Sequence, residues 1–114
     1  MKFLFITIFS FILIHPAFSK LEANSTTPKY IGLDVRTGFE TRINPANGSL
    51  NIPIGDLEKK VISMIPDKSQ EIIVFCESGG RSDRAKKILN SMGYKNIKDI
   101  KTWRVWNKKY NSNQ

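Results

Sequence analysis

The chain has 114 residues, 40% of them hydrophobic and 25% charged, which fits one globular domain and excludes wholesale disorder or a collagen-like structure. Eighteen Lys and Arg against 10 Asp and Glu give a formal charge of +8. A single Cys and a single His exclude an internal disulfide, a multi-cysteine zinc or iron–sulfur site and a two-His metal site.

Residues 1–19 read as a secretory signal peptide. Lys2 is a short positive start, Phe3–Ile14 is apolar except for Thr7 and Ser10, and Pro16 breaks the run. Ala17 and Ser19 put small residues at −3 and −1 of a cut. A membrane span needs about 20 apolar residues, so an uncleaved anchor is the weaker alternative and no stable membrane span is expected. No Cys lies near the cut, which argues against a bacterial lipoprotein. The expected protein is therefore exported: periplasmic from a Gram-negative source, secreted otherwise. Its one His, His15, is lost with the signal, which also excludes a Ser–His–Asp triad and a Cys–His dyad. Residues 20–29, with Pro28, read as a flexible leader, residues 30–110 as the domain, and Asn111–Gln114 as a frayed tail.

Within the domain, Tyr30–Val35 predicts a buried strand. Arg36–Pro45 is polar and irregular, with a short helical turn near Phe39. Leu50–Ile54 predicts a second strand, stopped by Pro53 and Gly55. Asp56 is placed to cap a helix running to Ile65, with Leu57, Val61, Met64 and Ile65 on one apolar face. Pro66 ends it. Glu71–Cys76 carries four consecutive apolar β-formers before the Cys, the pattern of a central strand covered on both faces. A Gly-rich loop, Glu77–Arg81, leads to a helix over Ser82–Met92 with Ala85, Ile88, Leu89 and Met92 on one face and Gly93 at its C-terminal end. Asn96–Ile100 predicts a last strand and Thr102–Tyr110 a closing helix. Strand–helix alternation predicts an α/β fold: a small, mainly parallel sheet with helices on both faces.

The chemistry concentrates at Cys76-Glu77-Ser78-Gly79-Gly80-Arg81-Ser82. In open α/β sheets ligands bind beyond the carboxyl ends of strands, which is where this loop lies. Gly79 and Gly80 permit backbone angles that turn successive N–H groups toward the thiol. The following helix N-terminus and Arg81 add positive charge. Together they lower the pKa of Cys76 and shape a pocket for a small tetrahedral anion. The plainer alternative is an ordinary turn with a buried Cys behaving as a small hydrophobe.

This loop resembles the C-x-x-G-x-R-S active loop of rhodanese-type sulfurtransferases. Leu33-Asp34-Val35-Arg36 is similar to that family's I-D-V-R, Phe39-Glu40 to its F-E, Gly48–Pro53 to its G-A-x-N-I-P, and the helix ending at Met92-Gly93-Tyr94 to its M-G-Y. The resemblance covers residues 29–107, and the single-domain exported type is the most similar. It implies that Cys76 attacks a small anionic, thiosulfate-like donor, becomes a persulfide, and yields the sulfur to cyanide or a thiol acceptor. It implies that residues 77–82 bind the substrate, with Arg81 holding the anion and bracing the loop, that Asp34 and Arg36 support them, and that no metal or organic cofactor takes part. Two departures stand out. Asn44-Pro45-Ala46 replaces a common G-H-I, which affects loop packing, and Lys101-Thr102 replaces a G-G close to the active loop, which points to a narrower pocket or lower activity.

A non-catalytic binding or redox-sensing module and a Cys-dependent phosphatase are the competing readings. Related phosphatase loops place five residues between Cys and Arg, whereas four stand here, a cradle suited to one added sulfur atom rather than a phosphoryl group. Asp34 and Arg36 either brace the loop or form a surface ion pair worth about 0–1 kcal/mol. Glu77 is expected to point away from the thiol, whose ionisation it would oppose. Trp103 and Trp106 are expected to pack in the core. The basic run Lys95, Lys98, Lys101, Arg104, Lys108 and Lys109 carries no recognition motif and reads as a solvated face that attracts small anions rather than nucleic acid. Asn24-Ser25-Thr26 and Asn47-Gly48-Ser49 fit the glycosylation sequon, relevant only in a eukaryotic secretory host.

Overall fold

The computed structural model describes residues 28–111. The signal segment 1–19, leader residues 20–27 and the tail from 112 lie outside the described residues. In chain order the elements are β1 (Ile31–Asp34), α1 (Gly38–Ile43), β2 (Leu50–Asn51), a 3₁₀ turn (Ile54–Asp56), α2 (Leu57–Met64), β3 (Ile72–Cys76), α3 (Gly80–Ser91), β4 (Ile97–Thr102) and α4 (Trp103–Lys109). The sheet order is β2-β1-β3-β4 and every pairing is parallel. The small parallel sheet flanked by helices is the predicted architecture. No helix among the described residues is long and apolar enough to cross a membrane.

The unbroken apolar run of β3 is explained by its place between β1 and β4, where all five residues are buried. Because strand side chains alternate, Ile72, Val74 and Cys76 share one face with Leu33, and α2 and α3 cover it through Leu57, Val61, Ile65, Ala85 and Leu89. Ile73 and Phe75 face the other way, with Ile100 and Trp106. Trp106 of α4 stacks on Phe75 at 5.5 Å and on Tyr110 at 5.7 Å, meets Tyr30 edge-on at 6.0 Å, and donates its indole N–H to the Asn47 carbonyl at 2.8 Å. Gly32 makes room for it: a Cβ there would lie 2.6 Å from Cζ2 of the indole.

Several boundaries differ from the sequence expectation for local reasons. The second strand keeps only Leu50–Asn51, because Pro53 turns the chain into the 3₁₀ turn. Met64, expected on the core face of α2, is exposed, while Leu57, Val61 and Ile65 are buried. The expected turn near Phe39 is the six-residue helix α1, whose N-cap Thr37 accepts the Glu40 N–H. Helix α3 closes as expected. Gly93 has φ +98°, the Gly93 N–H reaches Asn90 O and the Tyr94 N–H reaches Leu89 O, a Schellman arrangement. Strand β4 runs two residues past its expected end. Val74 pairs with Asp99 but Phe75 pairs with Lys101, so Ile100 is an extra residue in a bulge, and Lys101-Thr102 lie beside Phe75-Cys76.

Candidate active site

Cys76 is the last residue of β3, fully inside the fold. The chain reverses at once: Gly79 has φ +110°, a left-handed conformation that a residue with a Cβ adopts only at a cost, and α3 begins at Gly80. The helix thus starts two residues earlier than Ser82, because the Gly79 carbonyl already accepts the Asp83 N–H at 3.0 Å. The open loop is only Glu77-Ser78-Gly79, and Arg81 and Ser82 belong to the first helical turn.

Within this turn the Gly79 N–H points at Cys76 Sγ, 3.0 Å away. The thiol donates to the Lys101 carbonyl at 3.5 Å, and the Ser82 hydroxyl donates to Gly79 O at 3.1 Å. Burial pushes the Cys76 thiol up, since a thiolate is poorly solvated there. The N–H groups of Ser82, Gly79 and Ser78 and the Ser82 hydroxyl together outweigh that penalty and hold it below the ordinary thiol value. These donors at a helix start also suit a small anion.

Arg81 was expected to charge the thiol's surroundings directly. Its guanidinium instead forms a two-pronged pair with Glu40 of α1, both bonds 2.8 Å long. The Arg81 bonds hold the Glu40 carboxyl below its usual range, and Glu40 raises Arg81 in turn, with a smaller contribution from the Cys76 charge. Arg81 therefore ties α1 to the loop while its field reaches Cys76. Glu40 stands in the F-E match of the sequence, but nothing in the sequence said that it would meet Arg81, 41 residues on.

Asp34 and Arg36 are not a surface pair. Both side chains are fully buried, with Arg36 Nη2 donating to Asp34 Oδ2 at 2.7 Å and to Asn44 O at 2.8 Å. Asn51, unmarked by the sequence analysis, donates to both the Asp34 and the Arg36 carbonyls at 2.9 Å. Arg36 lies over the Trp103 ring, 5.1 Å from its centroid, and its Nη1 comes within 3.9 Å of Glu77. Glu77 points away from the thiol, as expected, because its carboxylate accepts from Arg104 and from the Trp103 indole, each at 2.8 Å. Those bonds also lower its pKa. Trp106 is core, as expected, whereas Trp103 is part-buried and works at the rim of the loop. Among the described residues no cluster of His, Cys, Asp and Glu is arranged to hold a metal.

The family model described as "Rhodanese-like domain" matches residues 17–108. The thiosulfate sulfurtransferase PspE of Escherichia coli is 31% identical over 67 residues, covering 59% of this chain and 64% of the relative. The chain thus spans just under two thirds of the length of that relative. A solved Escherichia coli rhodanese with anions aligns with a TM-score of 0.63 at 28% identity, over 66% of this chain and 88% of that one. The human single-domain sulfurtransferase TSTD1 aligns with a TM-score of 0.61 at 25% identity, over 83% of this chain and 93% of that one. A parallel sheet in the order β2-β1-β3-β4, a Cys at the end of β3 and a match over most of the chain agree: this chain belongs to the rhodanese-like domain family.

Proposed function

We propose that this protein is an exported sulfurtransferase that moves sulfane sulfur from a thiosulfate-like donor to a thiophilic acceptor through a persulfide on Cys76. The observation that supports it most is the Gly79 N–H aimed at the buried Sγ at the end of β3, 3.0 Å away, in a turn whose N–H groups hold the thiol below its ordinary value. In the first step the Cys76 thiolate attacks the outer sulfur of thiosulfate. The sulfur–sulfur bond of the donor breaks, sulfite leaves with its electron pair, and Cys76 keeps the outer sulfur. In the second step cyanide, or a thiol in the cell, takes that sulfur and returns the thiolate. Each step balances without a metal or an organic cofactor. The N–H groups of residues 78–82 stabilise the charge on the terminal sulfur and on departing sulfite. Arg81 attracts the anionic donor while Glu40 fixes its direction. Asp34 and Arg36 support the loop from the end of β1, and Trp103 and Arg104 of α4 hold its Glu77.

Initial-rate kinetics with thiosulfate and cyanide test this. Two half-reactions through one covalent intermediate give parallel double-reciprocal lines. Cys76→Ser, a change of one atom at a strand end, is expected to fold and to form no thiocyanate. Thiocyanate formation by that variant would contradict the role of Cys76.

A further inference from the structure

Lys101 is the one non-glycine residue with a positive φ, +71°, among the described residues. That conformation is disfavoured for any side chain with a Cβ, so its persistence here calls for a compensating arrangement. The arrangement is visible at both ends of the side chain. The Lys101 N–H donates to Asp99 Oδ1 at 2.9 Å, and the ammonium donates to Asp99 Oδ2 at 3.0 Å. The Asp99 side chain is 7% exposed and anchors the Lys101 side chain, which is itself 60% exposed and lies at the rim of the site. Pinned at both ends, the methylene stem lies flat against the turn that follows Cys76. A Cβ built on Gly79 would lie 3.0 Å from Lys101 Cδ, 3.4 Å from its Cβ and 3.7 Å from its Cγ. The bulge in β4 sets this up by placing Lys101 beside Phe75 and its carbonyl 3.5 Å from the Cys76 sulfur.

The thiol is therefore bounded by its own turn on one side and by Lys101 on the other. We propose that Lys101 is a specificity-determining residue whose stem, strapped to Asp99 across Gly79, admits compact sulfur donors and acceptors to Cys76 and turns away bulky thiols. This rests on the reading of Cys76 as the sulfur-carrying nucleophile. A tethered side chain laid across the rim of a pocket discriminates by size, since it stands in the path of a large reagent and leaves a small one room to pass.

Cys76 is the sole thiol of the chain, so alkylation reports on it alone. The rates of N-ethylmaleimide and N-pyrenylmaleimide share one reactive ring, and their ratio cancels any change in thiolate fraction. Lys101→Ala removes the stem and keeps the Cβ, while Lys101→Gly also relieves the backbone conformation, so at least one variant is expected to fold as well as the parent. In both, the bulky-to-small rate ratio should rise by about tenfold, and the glutathione-to-cyanide ratio of kcat/KM should rise with it. An unchanged maleimide ratio in both folded variants would overturn the proposal. A raised maleimide ratio in a protein that forms no thiocyanate would support the wall and refute sulfur transfer.

Discussion

At the scale of single residues, the buried Asp34–Arg36 pair and the Cys76 thiol carry the sharpest consequences. Arg36 is fully enclosed and makes four hydrogen bonds to the Asp34 carboxylate, three from its guanidinium and one from its backbone N–H. Replacing one partner of a buried pair leaves an uncompensated charge, so Asp34→Asn should cost about 3–5 kcal/mol of stability, read by urea unfolding. A loss below about 1 kcal/mol would mean that the pair behaves as an exposed one. For Cys76, the N–H groups and the Ser82 hydroxyl hold the thiol below its ordinary value. Because the thiolate is the reactive form, the alkylation rate should reach half its plateau at a pH below that of a free cysteine, about 8.5. Arg81→Ala removes a positive charge and leaves Glu40 unpaired beside the loop, and both effects disfavour the thiolate. The midpoint should therefore move up, though modestly, because much of the Arg81 field is already spent on Glu40. A midpoint that stays or falls would show that Arg81 does not act on the thiol.

At the scale of elements, the close approach of β1 and α4 through Gly32 sets a packing test. The Trp106 ring occupies the space a Cβ would need, and the ring is held on both faces by Phe75 and Tyr110. Gly32→Ala should destabilise by about 1–3 kcal/mol, measured by thermal unfolding. A neutral change would mean that α4 slides without cost. This contact also shows where the sequence was readable. The apolar run of Ile72–Cys76 and the glycine after Met92 identified β3 and the end of α3 from local pattern alone. The partners of Arg81, Glu77 and Trp106 lie 26 to 59 residues away, and no local pattern encodes such pairings. Helix α3 began two residues early because one left-handed glycine made the whole reversal, and Gly79-Gly80 does not say which of the two does so. The bulge in β4 was missed for a similar reason: an extra residue in a strand leaves no periodic signal when Asp99, Ile100 and Lys101 alternate only once.

At the scale of the whole molecule, a basic chain with one thiol is proposed to work outside the cytoplasm, where that thiol has no internal partner with which to form a disulfide. If residues 1–19 are a cleaved signal, N-terminal sequencing of the exported protein should begin at Lys20, and recovery of the Met1 terminus in a membrane fraction would contradict cleavage. The excess of basic residues, 18 Lys and Arg (one fewer after loss of Lys2) against 10 Asp and Glu, favours encounter with small anions such as thiosulfate, so kcat/KM for that donor should fall as salt rises. The central claim is the covalent one, and intact mass measures it most directly. After incubation with thiosulfate, the purified protein should gain about 32 Da, one sulfur atom held through the single thiol, and cyanide should return it to its starting mass. An unchanged mass after thiosulfate, in a protein whose Cys76 is shown to be reduced and alkylatable, would contradict sulfur transfer through this residue.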